Sequence, residues 1–470
     1  MNKQRFDVII VGSGFSGIVA ANSLADQGLS ILLVDENIHI GGQLLRKIPE
    51  RLGLHSKYRP EPVKKIGFAL VENIKNKKVK IMNRARVVGI YTNREILLEV
   101  AETRVISLEY DVILFTTGAR ERFLPFKGWT LPGVFSTGMV QVLLKSHGIL
   151  CDERLLIGGT GLFLLAVAYE FLKNGGHVIS ICDQSTFFDK AKFLPLVFSQ
   201  YPKFMEGGKF ISRIVFSGVP LKYKTRIVEA RGKDSLEAVV VARIDGDGKI
   251  IQGTERIHKT TALAVGYGFV PNVELAQLAG CKLEYSDPKG GWVVEVRNNL
   301  ETSMENIFAA GEITGIGGAY KSIHEGEMAA NSILYRFEKI GENDFSRKQK
   351  KMDRKRKQDL KFGALFNLLF KVPVEAVMEI PDETIICRCE DVTMAEVKKA
   401  VTMDFKEPGA LKITVRTGMG NCQGRTCGPV IYDILTALTG QSQTHLGPFS
   451  TRPPLKPVSI ESLINHRTHI

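Results

Sequence analysis

The chain has 470 residues, of which 44% are hydrophobic and 24% charged, a balance that excludes a disordered or fibrous protein. No apolar run reaches about 18 residues, so we expect no membrane span. The N-terminus MNKQRF leads directly into an apolar strand, so we expect no signal peptide and a cytoplasmic location.

Much of the positive charge is local. The formal net charge is +13, but Arg347–Lys361 holds nine Lys/Arg against two Asp/Glu, which places +7 within 15 residues. The segment predicts a solvated linker helix rather than a basic domain; binding of an acidic partner, a membrane surface or nucleic acid is the alternative. For the whole chain we expect no nucleic-acid partner.

The first recognisable unit is a strand, a glycine turn, a helix and a second strand. The strands are predicted at Val8–Val11 and Ile31–Val34. Glycines in such a turn allow a tight bend, close approach of the backbone to a pyrophosphate, and close packing of helix on strand. An acid 23 residues after the first glycine can accept hydrogen bonds from a ribose diol. The unit predicts a dinucleotide site formed by Gly12, Ser13, Gly14, Phe15, Ser16, Gly17, Asp35 and Glu36.

Short strands and one helix fill the region up to residue 150. Gly42 and Gln43 come first, followed by a helix predicted at Val63–Asn76. The strands are predicted at Val79–Met82, Val87–Tyr91, Glu95–Val100, Arg104–Leu108 and Tyr110–Phe115. The last of them leads into Thr117 and Gly118, where we expect the backbone to pass close to the dinucleotide.

A second unit repeats the opening motif from Arg154. It predicts strands at Leu155–Ile157 and His177–Cys182 around a helix at Leu162–Asn174. Leu164 replaces the third glycine, which normally allows close helix–strand packing, so nucleotide binding and a degenerate domain kept for packing both stay open. The candidate residues are Gly159, Thr160, Gly161, Leu162 and Asp183. The Asp183 carboxylate favours a free ribose 2′-OH, as in NAD or an adenine nucleotide.

The chain then returns towards the first unit. Lys209–Leu263 predicts hairpins, and Leu263–Gly268 predicts a strand that re-enters the first domain. Asn306–Ala310 is a buried strand that runs into a loop of small residues and a helix at Ala319–Leu334. This loop suits contact with phosphate or a polyol chain, with Gly311, Glu312, Gly318 and Ala319 as candidate residues.

Four of the seven cysteines cluster near the C-terminus as Cys387-x-Cys389 and, with 32 residues between, Cys422-x4-Cys427. An odd number of cysteines without a secretory signal indicates a reducing compartment, where such clusters bind metal more often than they form disulfides. Four thiolates are a complete ligand set for Zn²⁺ or for a [2Fe–2S] cluster. The C-x-C half departs from the usual zinc spacing, although zinc and free structural cysteines both stay open.

The motifs GSGFSG, GGQ, TTGARE, GGTGLF and NIFAAGEITGIGG resemble, in this order, flavoproteins of the glutathione/thioredoxin-reductase type. The resemblance implies an α/β fold with two Rossmann-like domains, with FAD on the first. It also implies that Gly311-Glu312, in place of the usual Gly-Asp, contacts the ribityl–phosphate chain. Residues 1–345 contain no closely spaced cysteine pair, so we expect no disulfide reductase. No catalytic base is identified; Lys321 and His324 follow the flavin loop and are given no role.

The segment CRCEDVT with the later GMGNCQGRTC resembles the small α+β [2Fe–2S] domain of bacterioferritin-associated ferredoxin. With the tail RPPLKPVSIESL, the whole arrangement resembles the FAD/[2Fe–2S] subunit of opine oxidases, its counterpart in hydrogen cyanide synthases and related dye-linked amino-acid dehydrogenase subunits. The expected division is a FAD domain in two parts (1–150 and 263–345), an inserted nucleotide domain (151–262), a basic linker (346–380), the [2Fe–2S] domain (381–445) and a tail (446–470).

This resemblance implies that the chain is an FAD-dependent oxidoreductase of a hetero-oligomer that acts on CH–NH or CH–NH₂ donors. A separate FAD-dependent subunit would oxidise the amine, and this chain would pass the electrons to a quinone, dye-like or ferredoxin-like acceptor. The alternatives are a stand-alone NAD(P)H-dependent flavin reductase and a nucleotide-sensing assembly protein that docks an acidic partner through Arg347–Lys361.

Overall fold

The computed structural model describes residues 3–46, 62–152, 154–185 and 210–466. Lys209, the first residue of the predicted hairpin region, lies outside these ranges. The first part of the chain forms β1 (Gln4–Val11), α1 (Phe15–Leu24), β2 (Ile31–Val34), α2 (Pro62–Lys75), β3 (Lys80–Met82), β4 (Ala85–Tyr91), β5 (Glu95–Val100), β6 (Arg104–Phe115) and β7 (Ala119–Glu121).

The second part begins with β8 (Val134–Ser136), α3 (Thr137–Val142) and a π-helical turn (Leu143–His147), followed by β9 (Arg154–Gly159), α4 (Leu162–Lys173), β10 (His177–Asp183), β11 (Leu221–Tyr223), β12 (Thr225–Arg231), β13 (Ala238–Arg243), β14 (Arg256–Lys259) and β15 (Ala262–Gly266). The chain then forms β16 (Phe269–Pro271), α5 (Glu274–Leu278), β17 (Leu283–Ser286), β18 (Gly291–Val294), β19 (Ile307–Ala309) and α6 (Gly318–Arg336).

The C-terminal part starts with the long helix α7 (Glu342–Leu369), followed by α8 (Glu375–Met378), β20 (Ile385–Cys387), β21 (Val392–Thr393), α9 (Met394–Thr402), α10 (Pro408–Thr414), α11 (Gly428–Thr439), α12 (Gln443–Leu446) and α13 (Ile460–Ile464). Among the helices of the described ranges, none is both long and apolar enough to cross a membrane.

Two Rossmann-type sheets organise the molecule. The first has the order β3-β2-β1-β6-β5-β4, and β19 also pairs with β6; the second has the order β11-β10-β9-β15-β8. The strands β12, β13 and β14 form a separate antiparallel sheet within the region where hairpins are predicted. The rest of that region differs from the prediction, since residues 210–216 are helical and β11 pairs in parallel with β10. The antiparallel pair β7 and β16 forms the crossing between the two units. The α/β fold with two Rossmann-like units is therefore confirmed.

Two strand predictions are wrong. Arg104–Leu108 and Tyr110–Phe115 are one continuous strand, because β6 pairs antiparallel with β5 along its first half and parallel with β1 from Leu108 onwards. The segment predicted to re-enter the first domain lies in the second sheet, since β15 pairs in parallel with β9 and β8. The return to the first unit therefore begins at β16.

The C-terminal part packs closely on the second unit. One buried core contains Ile227 and Val239 of the antiparallel sheet together with Ile386 and Val430 of the cysteine region. The Trp129 indole N–H donates to the Ile385 carbonyl at 2.7 Å. The cysteine region therefore shares a buried core with the second Rossmann unit.

Candidate cofactor sites and cysteine centre

The first glycine loop has the shape that a pyrophosphate requires. A Cβ on Gly12, whose φ is +103°, would lie 2.4 Å from the Thr116 carbonyl oxygen, and one on Gly17 would lie 1.9 Å from the Gly12 oxygen. Gly14 precedes α1, and a Cβ there would meet nothing within 4 Å. Two glycines thus allow close packing, and the third leaves open space at a helix N-terminus, where anions are favoured.

Asp35, which is predicted to contact the ribose, supports the loop. One Asp35 oxygen accepts from the Ser13 backbone N–H at 2.7 Å and from the Ser13 hydroxyl, and the other accepts from the Asn37 backbone and side chain at 2.8 Å. These bonds use the roughly four lone-pair sites of a carboxylate. Glu36 is exposed and forms an ion pair with Lys456 of the C-terminal tail.

Two further segments approach the same loop. The Gly41 N–H donates to the Ser13 carbonyl at 3.0 Å, and a Cβ on Gly42 would lie 2.9 Å from the Gly14 Cα. Gln43 accepts from the Arg46 side chain.

After β6, the Thr117 hydroxyl donates to the Asn272 carbonyl at 2.7 Å, and the Asn272 N–H donates to the Gly118 carbonyl at 3.0 Å. Asn272 is not predicted as a site residue from the sequence, because its hydrogen bonds with Thr117 and Gly118 depend on the pairing of β7 with β16.

The loop that follows β19 meets the first glycine loop. A Cβ on Gly311 would lie 3.0 Å from the Ser16 Cβ. Glu312 folds back on its own loop and accepts from the backbone N–H groups of Gly317 at 3.3 Å and Gly318 at 2.8 Å. Burial raises the pKa of the Glu312 carboxyl above its ordinary value. Ala319 lies in the first turn of α6.

Below this loop lies a buried ion pair that sequence reasoning did not find. The Lys321 ammonium group donates to the carbonyls of Gly311 and Gly315 and lies 2.9 Å from a Glu325 carboxylate oxygen. Glu325 in turn accepts from the Gly311 N–H at 2.8 Å. Lys321 therefore fixes the backbone of the loop. His324 contacts Asp359 of α7 at 2.8 Å. The ion pair could have been predicted from the sequence, because Lys321 and Glu325 stand at i and i+4 of one helix among small residues.

The second glycine loop is similar but partly closed. A Cβ on Gly159 would lie 1.9 Å from the Gly266 oxygen, and one on Gly161 would lie 3.9 Å from the Phe370 ring, while Thr160 is buried and Leu162 partly exposed. Leu164 is buried in the core below α4. Asp183 accepts from the Ser185 N–H at 2.8 Å, and burial raises its pKa to about 6.

A polar cavity adjoins this second loop. Its volume is about 390 Å³, and its lining includes Thr160, Gln184, Ser185, Lys249 and Lys371. The Gln184 amide nitrogen has no hydrogen-bond partner among the described residues. Asp247 and Glu375 also line this cavity, and Lys371 is paired with Asp287 at 2.6 Å, so its two lysines are balanced by carboxylates.

The four clustered cysteines come together as two contacting pairs. The Cys427 thiol donates to the Cys387 sulfur, which lowers the pKa of Cys387 to about 6 and raises the pKa of Cys427. Cys389 and Cys422 form the second pair, in which Cys389 is the exposed member. Across the described ranges, no group of three or more His, Cys, Asp or Glu side chains is arranged to hold a metal ion.

Glycines line this centre. A Cβ on Gly420 would lie 2.2 Å from the Cys389 Cβ, and the Gly418 backbone hydrogen-bonds to Cys387 and Cys427. Backbone donors directed at thiolate sulfurs are typical of iron–sulfur sites. Glycine backbone therefore lies directly against the cysteine side chains.

Comparison with known proteins agrees with this geometry. The family described as pyridine nucleotide-disulphide oxidoreductase matches residues 6–330, and the sarcosine oxidase A3 domain matches residues 382–466. The hydrogen cyanide synthase protein HcnB of Pseudomonas aeruginosa is 30% identical over 97% of this chain and 98% of its own length. An opine oxidase subunit of Rhizobium meliloti is 26% identical over 98% of this chain and 88% of its own length.

Among solved structures, L-proline dehydrogenase from P. horikoshii superposes with a TM-score of 0.71 at 18% identity, over 98% of this chain and 80% of that one. At this identity the likeness concerns the fold alone. It extends beyond the two Rossmann units to the cysteine region.

Proposed function

Because this chain belongs to the pyridine nucleotide-disulphide oxidoreductase family, with HcnB and subunits of opine oxidase among its homologues, we propose that it is the FAD- and [2Fe–2S]-containing electron-transfer subunit of a heteromeric amine dehydrogenase. A separate FAD-dependent subunit would oxidise the C–N bond of an amino acid, opine or other amine. The homologues named as subunits support this division of labour.

One contact carries the proposal. The Arg120 side chain, two residues after Gly118, donates to the Arg425 carbonyl at 3.0 Å, and Arg425 lies between Cys422 and Cys427. The end of the predicted flavin site and the cysteine centre are thus joined by one side chain. Electron transfer between two cofactors depends on such proximity, whereas a disulfide reductase would require cysteines beside the flavin itself.

The residues present fit the implied FAD. The space over Gly14 would receive the pyrophosphate, and the loop held by Lys321 and Glu325 would face the ribityl chain. FAD would supply acceptance of two electrons as a hydride equivalent, while the protein supplies position and electrostatics. Asp35 shapes the loop through Ser13, and a ribose contact by Asp35 would replace one of its present donors.

The two cysteine pairs are the residues that would hold a [2Fe–2S] cluster, which would supply one-electron transfer. Two cysteine pairs match the two iron atoms of such a cluster, and Gly418 and Gly420 allow the backbone to lie close to the sulfurs. The exposed Cys389 is the member of the quartet from which electrons would pass to a quinone, dye-like or ferredoxin-like acceptor.

The experiment is to purify the chain alone and together with an amine-oxidising partner. We expect flavin absorption bands, two iron atoms and two acid-labile sulfides per chain, and amine oxidation only with the partner. Cys389→Ser should lose iron and retain flavin, whereas Cys151→Ser, which changes an isolated cysteine, should retain both. Flavin without iron would overturn the cluster, and full amine turnover by the chain alone would overturn the division of labour between two subunits.

A second candidate function, a stand-alone NAD(P)H-dependent flavin reductase, is favoured by the polar cavity beside Thr160 and Ser185. That cavity supports a bound NAD or adenine nucleotide on the second unit. NADH added to the purified chain without oxygen discriminates between the two functions. Rapid loss of flavin absorbance without a partner would favour the reductase, and its absence would favour the electron-transfer subunit.

A further inference from the structure

The C-terminal tail returns from the cysteine region to the first Rossmann unit. After α12, the Phe449 carbonyl accepts from the Gln277 side chain at 3.0 Å, and the Leu455 N–H donates to the Val88 carbonyl of β4 at 2.8 Å. The Leu455 side chain is buried in the hydrophobic core of the first unit. The tail segment 449–459 is therefore packed as a part of that unit.

The backbone on both sides of Lys456 is held in place. The two terminal nitrogens of Arg425, in the cysteine region, each donate to the Leu455 carbonyl at 3.4 Å. Arg86 of β4 donates to the Pro457 carbonyl at 3.2 Å. Lys456 thus extends from a backbone that is fixed by the cysteine region on one side and by the first unit on the other.

The Lys456 side chain reaches the end of β2, where a Rossmann-type unit contacts the ribose of its nucleotide. It forms an ion pair there with Glu36, which directly follows Asp35. The two oxygens of Asp35 already accept four hydrogen bonds from Ser13 and Asn37. Within the described ranges, Lys456 is the one hydrogen-bond or ion-pair partner of the Glu36 carboxylate. Glu36 is therefore the acid at this position that has room for a ribose hydroxyl.

Exposure limits what this ion pair contributes by itself. The side chains of Glu36 and Lys456 are 52% and 29% exposed, and a pair in such a position changes an equilibrium by about fivefold at most. The contacts of Leu455 and Pro457 distinguish it from an ordinary surface pair, because they bring Lys456 to Glu36 without ordering a mobile backbone. The whole segment, and not the ion pair alone, forms the cover.

We propose that the tail segment completes the adenosine end of the FAD site. Glu36 accepts from the ribose hydroxyls, Lys456 holds the Glu36 carboxylate in position, and the segment has to move away before FAD can leave. The proposal rests on the proposed function, because it requires FAD on the first glycine loop. Since Arg425 holds the same segment, it also connects the retention of FAD to the cysteine region.

The rate of FAD release tests the role of Lys456. The full-length chain is loaded with radiolabelled FAD and mixed with excess unlabelled FAD. Lys456→Met should release the label about three- to fivefold faster, as expected for one partly exposed ion pair. Lys456→Met with Glu36→Gln should release it no faster than Glu36→Gln alone, because the two side chains act as a unit. Arg452→Met is the matched control, since it removes an exposed cation from the same segment, and its rate should not change.

Unchanged release from Lys456→Met, or effects of Lys456→Met and Glu36→Gln that simply add, would overturn the role of the ion pair.

Hydrogen exchange tests the movement of the segment. If the closed segment retains FAD, bound FAD must in turn stabilise the closed segment. The Leu455 amide, which donates to Val88, should therefore exchange at least fivefold more slowly with FAD than without it. The amides of β14, an exposed edge strand of the separate antiparallel sheet, are the control and should exchange equally in both states. Equal exchange of the Leu455 amide in the two states would overturn the cover.

The two proposals fail in different ways. A chain that binds no FAD contradicts the proposed function. A chain that binds FAD, but whose release rate and Leu455 exchange are indifferent to these changes, contradicts the part played by the tail alone.

Discussion

Lys321 shows how a buried charged residue can fix the backbone of a loop. Its ammonium group is fully buried, and its partners are two loop carbonyls, the Thr314 hydroxyl and Glu325. A buried charge is costly unless it is paired and hydrogen-bonded, and here every donor of the ammonium group has a partner. The loop conformation and the ion pair are therefore one structural unit.

Replacing Lys321 by Met should lower the free energy of unfolding by about 3–5 kcal/mol, because Glu325 would remain buried without its cation. Flavin content should fall with it, since the loop loses its donors. Urea unfolding and flavin absorbance measure the two effects. Lys348→Met is the control, because Lys348 is exposed on α7, and surface changes stay within about 0.5 kcal/mol. If Lys321→Met changes the free energy of unfolding as little as Lys348→Met does, the buried ion pair does not stabilise the loop.

Asp183 predicts a pH dependence. Burial raises its pKa from 3.8 to about 6. Between these values the folded chain binds a proton that the unfolded chain has lost, so stability falls as pH rises from about 4 to 6 and is then level. The shift corresponds to roughly 3 kcal/mol.

Asp183→Asn should therefore be more stable than the natural chain at pH 7, and the difference should vanish towards pH 4. Urea unfolding at a series of pH values measures it, with Asp234→Asn, an exposed carboxylate, as control. A difference that does not change with pH would show that the carboxylate is already ionised in the folded chain.

At the scale of elements, the glycines of the first glycine loop have different roles. A Cβ on Gly17 would collide with the Gly12 oxygen, but a Cβ on Gly14 would enter open space. Gly17→Ala should thus reduce both stability and flavin content. Gly14→Ala should leave the unfolding of the flavin-free chain unchanged and weaken FAD binding at least tenfold, because its methyl group would occupy the pyrophosphate position.

Thermal unfolding and FAD titration of the flavin-free variants separate these effects. Normal FAD affinity in Gly14→Ala would show that the pyrophosphate does not lie over this residue.

Local sequence was enough to predict the elements whose pattern is complete within a short window. The strands β2 and β5 lie where their apolar runs predict, and both glycine turns precede helices. Local sequence did not predict the strands whose extent or sheet depends on pairing with distant parts of the chain. β6 changes partners midway, and Glu109 at that point looks like a break. β15 is an apolar run like that of any central strand, so its sequence does not indicate which of the two sheets it joins.

The candidate site shows the same limit. The glycines and cysteines could be predicted as candidate site residues, because their residue types and spacing indicate their chemistry without any knowledge of the fold. The contacts between distant segments could not, among them Arg120 with Arg425 and Lys456 with Glu36. The basic segment Arg347–Lys361 is helical, as predicted. The same helix, α7, continues beyond it and packs on the loop after β19, where a Cβ on Gly363 would lie 2.4 Å from the Ile316 oxygen. No periodicity indicates that contact.

At the scale of the whole molecule, one buried ion pair joins the two Rossmann units. The Lys64 ammonium group of α2 lies 3.8 Å from a Glu170 carboxylate oxygen of α4, and both side chains are less than a tenth exposed. α2 packs on the first unit through Val71, and α4 belongs to the second through Phe171. The pair thus opposes rotation of one unit against the other, in an arrangement that also positions the cysteine region.

Lys64→Met should lower the free energy of unfolding by about 3 kcal/mol or more, because it leaves Glu170 buried and unpaired between the units. Lys64→Met with Glu170→Met should recover most of that loss, since two apolar side chains of similar volume can fill the same space. Urea unfolding gives the coupling energy from the double-mutant cycle. The exposed pair Lys75 and Glu72 is the matched control, and Lys75→Met should cost less than about 1 kcal/mol. If Lys64→Met costs no more than Lys75→Met, the ion pair does not hold the units together.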